Sequence, residues 1–160
     1  MKNLRIEFKW AIIFFFTALV WVAIEKLVGL HDVYINKHPV YTNGFAVLAI
    51  IIFILALLDK RKNYYKGVMT YKQGFATGLV MSLIITMLTP LSQYITSTII
   101  SPDYFTNAIS YSVAEGLMTQ EEAENYFSLN NYIVQSLIAA PILGLLTTSI
   151  VALFIRKKAK

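Results

Sequence analysis

Cysteine is absent from the 160 residues, which excludes a disulfide framework, a thiolate metal site and a cysteine nucleophile. Charge is scarce: Asp, Glu, Lys and Arg make up 14% of the chain, where roughly 25% is usual for a soluble domain. Histidine occurs only as His31 and His38. No H-E-x-x-H zinc motif, Gly-rich phosphate loop or redox-cofactor motif is present, and no Ser/His or paired-Asp arrangement falls in the apolar runs. These absences leave no catalytic constellation and imply no cofactor, so the expectation is a non-enzymatic protein.

What the chain has in quantity is apolar sequence. Hydrophobic residues make up 57% and the mean hydropathy is +0.59, which marks an integral membrane protein with the lipid bilayer as its first partner. Twelve of the fourteen Lys and Arg residues fall in three clusters: Lys2/Arg5/Lys9, Lys60/Arg61/Lys62/Lys66/Lys72 and Arg156/Lys157/Lys158/Lys160. These clusters flank apolar runs and are not interleaved with aromatics, so the net charge of +5 is a topology signal and not a nucleic-acid footprint. Basic residues stay on the cytoplasmic side of a bilayer, and three clusters separated by two pairs of spans place both termini and the middle loop inside. The outer segments then hold only Lys26 and Lys37 against seven acidic residues.

The pattern predicts an all-α fold of four transmembrane helices, at about 8–27, 40–58, 71–90 with an outward extension to 100, and 132–155, within a single domain 1–160. The first run is longer than a signal-peptide core and leads into Trp21, Glu25 and Lys26, so it is expected to stay as a helix. Pro39 suits the first turn of the second span. The third run is apolar for about 30 residues, some 45 Å of helix against a hydrocarbon core of roughly 30 Å. A bend at Pro90 is expected, with Leu91 to Ile100 protruding or lying along the interface. Residues 101–131 form an outer cap with a helix over Ala108 to Glu115 and a second from about Gln120 to Phe127. A Thr119-Gln-Glu-Glu122 capping box opens that second helix.

Trp21-x-x-x-Glu25-Lys26-x-x-Gly29-Leu30-His31-Asp32, Asp59-Lys60-Arg61 and Met69-Thr70-Tyr71-Lys72-Gln73-Gly74-Phe75 together resemble a family of small four-span bacterial membrane proteins, domain of unknown function 4199, common in Bacteroidota. The resemblance covers nearly the whole chain, with Glu-Lys-x-x-Gly-Leu-His-Asp its most specific part. It implies a bacterial inner-membrane location and supplies no activity or site residues.

Two patterns bear on function. Gly74, Gly78, Ser82 and Thr86 recur every fourth position in the third span, and Ala140, Gly144, Thr148 and Ala152 do so in the fourth. Small residues at this spacing let helix backbones approach closely in lipid, where no hydrophobic drive brings helices together. Both stripes are therefore expected to face other helices, within one chain or across a homo-oligomer or membrane-protein partner. The second pattern is Glu25, His31, Asp32 and His38 around the first outer loop. Imidazole and carboxylate suit a divalent ion, although the spacing matches no recognised metal signature. A Glu25–His31 clasp, a Glu25–Lys26 pair and helix caps are the competing readings of the same residues.

The expectation is thus an accessory or scaffold subunit acting through helix packing or oligomerisation. One alternative is an oligomeric small-solute or ion transporter, for which Asn43, Gln93, Gln135 and the prolines would supply polar groups. The other is an extracytoplasmic divalent-metal-binding protein.

Overall fold

The computed structural model describes residues 4–157, so Lys2, Lys158 and Lys160 of the basic clusters lie outside it. Four stretches are helical, long and apolar enough to cross a membrane: Arg5–Leu27, Ile35–Asn63, Tyr71–Ile100 and Leu129–Ile155. Helix α1 covers the first of these (Arg5–Leu27). The second begins with short turns, a 3₁₀ turn at Ile35–Lys37, α2 (His38–Tyr41) and a 3₁₀ turn at Thr42–Gly44, before α3 (Phe45–Asn63). Pro39 sits in the first turn of α2, and Lys60, Arg61 and Lys62 fill the last turn of α3, where cations complement the helix dipole. Next come α4 (Tyr71–Ile95), α5 (Tyr104–Ala114), α6 (Gln120–Tyr126) and α7 (Leu129–Ile155).

Several boundaries differ from the sequence reading: the first span starts at Arg5, the second runs to Asn63 and the first cap helix starts at Tyr104. The second span starts earlier, at Ile35, because the chain winds into short turns around Pro39. The fourth starts at Leu129, where the Ser128 hydroxyl accepts from Asn131 N–H and caps the helix. Helix α4 continues through Pro90 to Ile95 and then widens into a π-helix over Thr96–Ile100. There the Ser97 and Thr98 hydroxyls both donate to the Tyr94 carbonyl, a competition that loosens the regular ladder.

The chain divides into two compact units: a basic unit of Met1–Phe16, Ala46–Leu88 and Ile138–Lys160, and a histidine unit of Thr17–Phe45 and Thr89–Leu137. The basic unit holds a continuous apolar core that includes Ala11, Phe53, Leu57, Met69, Met81 and Val151. In it the two small-residue stripes meet in antiparallel register. A Cβ on Gly74 would touch the Ala152 side chain at 3.3 Å, one on Gly78 would collide with Thr148, and one on Gly144 would collide with Ser82. The Ser82 hydroxyl donates to the Gly78 carbonyl. Thr148 Oγ1 is buried without a conventional hydrogen-bond partner, and it lies where a Gly78 Cα–H points, a weak donor of the kind found at close helix contacts. Thr86 and Ala140 are only half-buried.

The buried charges among the described residues of the basic unit have partners. Lys60 Nζ lies 2.9 Å from the Glu7 carboxylate and 4.0 Å from the centroid of the Tyr64 ring, with both charged side chains buried. Asp59 accepts from Lys9, from Trp10 Nε1 at 2.7 Å and from Asn63 Nδ2 at 2.6 Å. Arg61 donates to the terminal carbonyl of α7, at Ile155, at 2.7 Å, and Met69 and Lys157 exchange two backbone hydrogen bonds.

Candidate functional site

The histidine unit is built around the end of α1. Leu30 N–H bonds to the Glu25 carbonyl and Gly29 N–H to the Lys26 carbonyl, both at 2.9 Å, with Gly29 in the left-handed region at φ +81°. This is a Schellman stop, which needs a residue without a Cβ at that point and turns the chain back on the helix it has just left. His31 therefore returns to Glu25, six residues upstream. Asp32, the next residue, faces away and is exposed, its carboxylate accepting from Val33 N–H. The expected four-residue cluster is thus three residues, and Asp32 does not belong to it.

Glu25, His31 and His38 each present one ligating atom, and those atoms lie within 4.8 Å of one another. His31 Nε2 is 3.7 Å and His38 Nε2 3.8 Å from Glu25 Oε2, too long for a direct N–H···O bond. Glu25 and His31 are 3% and 4% exposed. The remaining polar atom of each ligand is tied elsewhere. Trp21 Nε1 donates to Glu25 Oε1 at 2.7 Å, Ser101 Oγ lies 2.9 Å from His31 Nδ1, and the Tyr104 hydroxyl lies 3.4 Å from His38 Nδ1. His31 Nε2, His38 Nε2 and Glu25 Oε2 are left nearest one another, with the Thr42 side chain also on the Glu25 carboxylate.

The Tyr104 ring packs against both imidazoles, with centroids 4.9 and 5.2 Å away, and its hydroxyl is 3.2 Å from that of Tyr132. Burial pushes the Tyr104 hydroxyl above the usual phenol range, so it stays a neutral donor and acceptor. Lys26 reaches the Ile100 carbonyl at 2.6 Å, and Asn107 Nδ2 holds the His31 carbonyl at 3.0 Å. The Glu25–Lys26 pairing weighed from the sequence is replaced by these two contacts, which hold the loop after α1 and the π-helical end of α4.

A cavity of about 240 Å³ adjoins the cluster, lined by Glu25, His31 and His38 together with Ser92, Gln93, Thr96 and Ser97 on its polar side and Ala18, Val22 and Phe105 on its apolar side. Gln93 also donates to Ser136. Asn43 bonds to the Pro39 carbonyl and is exposed, as is Gln135; neither lines the cavity. Ser101, Tyr104 and Tyr132 were not singled out as site residues from the sequence. They lie at least 63 residues beyond His38 in residues that read as a helix stop, a cap and a span start, and no local spacing links them to the histidines.

No curated protein and no solved structure matches the chain. Residues 9–157 match the model of a protein family of unknown function, DUF4199, so the chain belongs to that family.

Proposed function

We propose that this protein is a non-enzymatic membrane protein that binds one divalent transition-metal ion at Glu25, His31 and His38. The observation that carries the reading is the convergence of three ligating atoms whose partner atoms are all held by other groups. Such supporting hydrogen bonds fix imidazole tautomer and orientation in metal sites. Tetrahedral zinc at about 2.0–2.2 Å from N and O ligands sets those ligands roughly 3.4 Å apart. The Glu25–histidine distances of 3.7 and 3.8 Å lie near that value, and the three atoms, within 4.8 Å of one another, draw in further on binding. Three protein ligands with the fourth position turned to a cavity suit an exchangeable ion better than a closed structural site. A bare clasp accounts for these residues less well, since neither imidazole is in hydrogen-bonding reach of the carboxylate.

Assembly through the small-residue stripes has less to support it, because Thr148 and Ser82 of the same chain already cover Gly78 and Gly144. The bacterial inner membrane, with cytoplasmic termini, is the location we infer. Arg5, Lys9, Lys60 to Lys62, Lys66, Lys72, Arg156 and Lys157 all belong to the basic unit, and Lys26 and Lys37 are the basic residues of the histidine unit. The site then faces the outside. With no native cysteine, the orientation is testable by single substitutions. A membrane-impermeant maleimide should label Lys37→Cys in intact cells and leave Lys66→Cys untouched until lysis. The reverse pattern would overturn the orientation.

The metal reading is tested on metal-stripped protein in detergent titrated with Zn²⁺ by calorimetry. One equivalent should bind, His31→Ala, His38→Ala and Glu25→Gln should each weaken it at least 100-fold, and Asp32→Asn should leave it unchanged. Binding that survives in the triple variant, or less than a tenth of an equivalent in wild type, would sink the assignment.

A further inference from the structure

We propose that the ion at Glu25, His31 and His38 is held together with a small monocarboxylate, which takes the open coordination position and fills the rest of the cavity. This inference rests on the metal reading above. Charge balance gives the first argument. A divalent ion, one carboxylate and two neutral imidazoles leave a net single positive charge in a buried site, and among the described residues Glu25 is the only acidic side chain that lines the cavity. An uncompensated charge away from water is costly, so a monoanion completes the site.

The second argument follows the protons. An imidazole that binds a metal through Nε2 carries its proton on Nδ1. His38 Nδ1–H can then donate to the Tyr104 hydroxyl, which frees the Tyr104 proton for Tyr132, 3.2 Å away. His31 Nδ1–H likewise donates to Ser101. The last hydroxyl of each chain, on Tyr132 and on Ser101, keeps a proton to give, and both residues line the cavity. Loading the ion therefore leaves two O–H protons available on residues that line the space, and an anionic oxygen ligand is what such donors recognise.

Size and shape supply the third. The cavity of about 240 Å³ is far larger than the roughly 10–15 Å³ that one water needs, so a metal-bound hydroxide leaves most of it empty. The π-helix Thr96–Ile100 places Thr96 and Ser97 on the polar wall, and π-helical turns recur where a helix shapes a site. Ala18, Val22 and Phe105 offer the opposite wall an alkyl group. A short aliphatic carboxylate matches this division.

Co²⁺-loaded protein in detergent, titrated with acetate, butyrate and acetamide, tests the proposal through the visible Co²⁺ bands. Acetate and butyrate should shift the bands saturably, butyrate at lower concentration, while acetamide leaves them unchanged. Saturating butyrate should tighten Co²⁺ by the factor by which Co²⁺ tightens butyrate, as linkage requires. Tyr132→Phe should weaken butyrate about 10-fold more than it weakens Co²⁺, because Tyr132 reaches the ion only through Tyr104 and His38. If Co²⁺ binds and neither carboxylate moves its bands, the co-ligand is wrong and the metal reading stands. Failure of Co²⁺ to bind removes both. Equal butyrate binding by metal-free protein, or an unaltered response in Tyr132→Phe, would overturn the coupling proposed here.

Discussion

The two units handle buried polarity in opposite ways. In the basic unit each buried charge has a partner at bonding distance: Lys60 meets Glu7 at 2.9 Å, and Asp59 is satisfied by Lys9, Trp10 and Asn63. Small residues there are spent on contact, with Gly78 against Thr148 and Gly144 against Ser82. In the histidine unit a buried carboxylate faces two imidazoles beyond hydrogen-bond reach, next to a cavity. Groups held in a cluster but left short of one another are arranged for something that comes between them. Matched pairs hold a fold together, and the proposed metal site rests on the cluster that lacks them.

The comparison breaks most visibly at the matched pair. Lys60→Ala leaves Glu7 buried without a partner and should cost about 3–5 kcal/mol. The double change Glu7→Leu with Lys60→Met should recover most of that loss, because it removes both charges together. Thermal or denaturant unfolding in detergent reads both. A single variant as stable as wild type would mean that Glu7 and Lys60 find water in place of each other.

Next in size is the seam. A Cβ at Gly144 falls on the Ser82 hydroxyl, so Gly144→Ala should destabilise by roughly 1–3 kcal/mol as an overpacked contact, and Gly144→Leu should prevent folding. Pairing Gly144→Ala with Ser82→Gly should restore much of the loss by making room on the opposite helix. The same changes should leave Zn²⁺ binding per folded molecule unaltered, since the seam lies in the other unit.

The seam is legible in the sequence through its period and the spans through their composition. Gly74, Gly78 and Ser82 announce a helix face through spacing alone, and apolar runs bounded by basic clusters need only composition. Asp32 shows where that kind of reading stops. Its chemistry equals that of a ligand, yet one peptide bond separates a buried His31 from an exposed carboxylate, and the left-handed Gly29 decides which of the two returns to α1. Gly29 was visible in the sequence as part of Glu-Lys-x-x-Gly-Leu-His-Asp, but its role emerges only with the Schellman geometry. Ser101, Tyr104 and Tyr132 were hidden for a different reason: their partners are set by tertiary packing and leave no mark on local pattern. Pro90 sits inside α4, and the outward extension to Ile100 that the apolar run outlines is helical.

A smaller effect sharpens the mismatched side. Ser101 touches no ion in the proposed site and acts through His31 Nδ1, which makes it a positioning residue. Ser101→Ala should lower Zn²⁺ affinity about 10–100-fold, less than loss of His31 itself, and Ser101→Thr should restore it. The Co²⁺ spectrum should change shape in Ser101→Ala as the imidazole reorients, whereas a residue serving only stability would lower the folded fraction and leave the bands of the bound form in place.

The smallest expected effect lies in α6, whose capping box is exposed. Thr119 N–H and the Thr119 hydroxyl both donate to the Glu122 carboxylate at 2.9 and 2.8 Å, and the hydroxyl oxygen accepts from Glu122 N–H at 3.3 Å. The backbone bond from Thr119, aided by its hydroxyl, holds Glu122 below its ordinary value of 4.5. Because the folded value is the lower one, the stabilisation is fully present above about pH 4.5 and is lost as pH falls through the folded value. Amide exchange at Thr119, followed by NMR from neutral pH downward against Glu122→Gln, should show protection falling with acid in wild type and little change in the variant. The variant keeps an acceptor oxygen but not the charge, so the difference between the two profiles isolates the ionised carboxylate. Equal profiles would show that the cap rests on the Thr119 hydroxyl alone, leaving both units free of any acid dependence that starts in this helix.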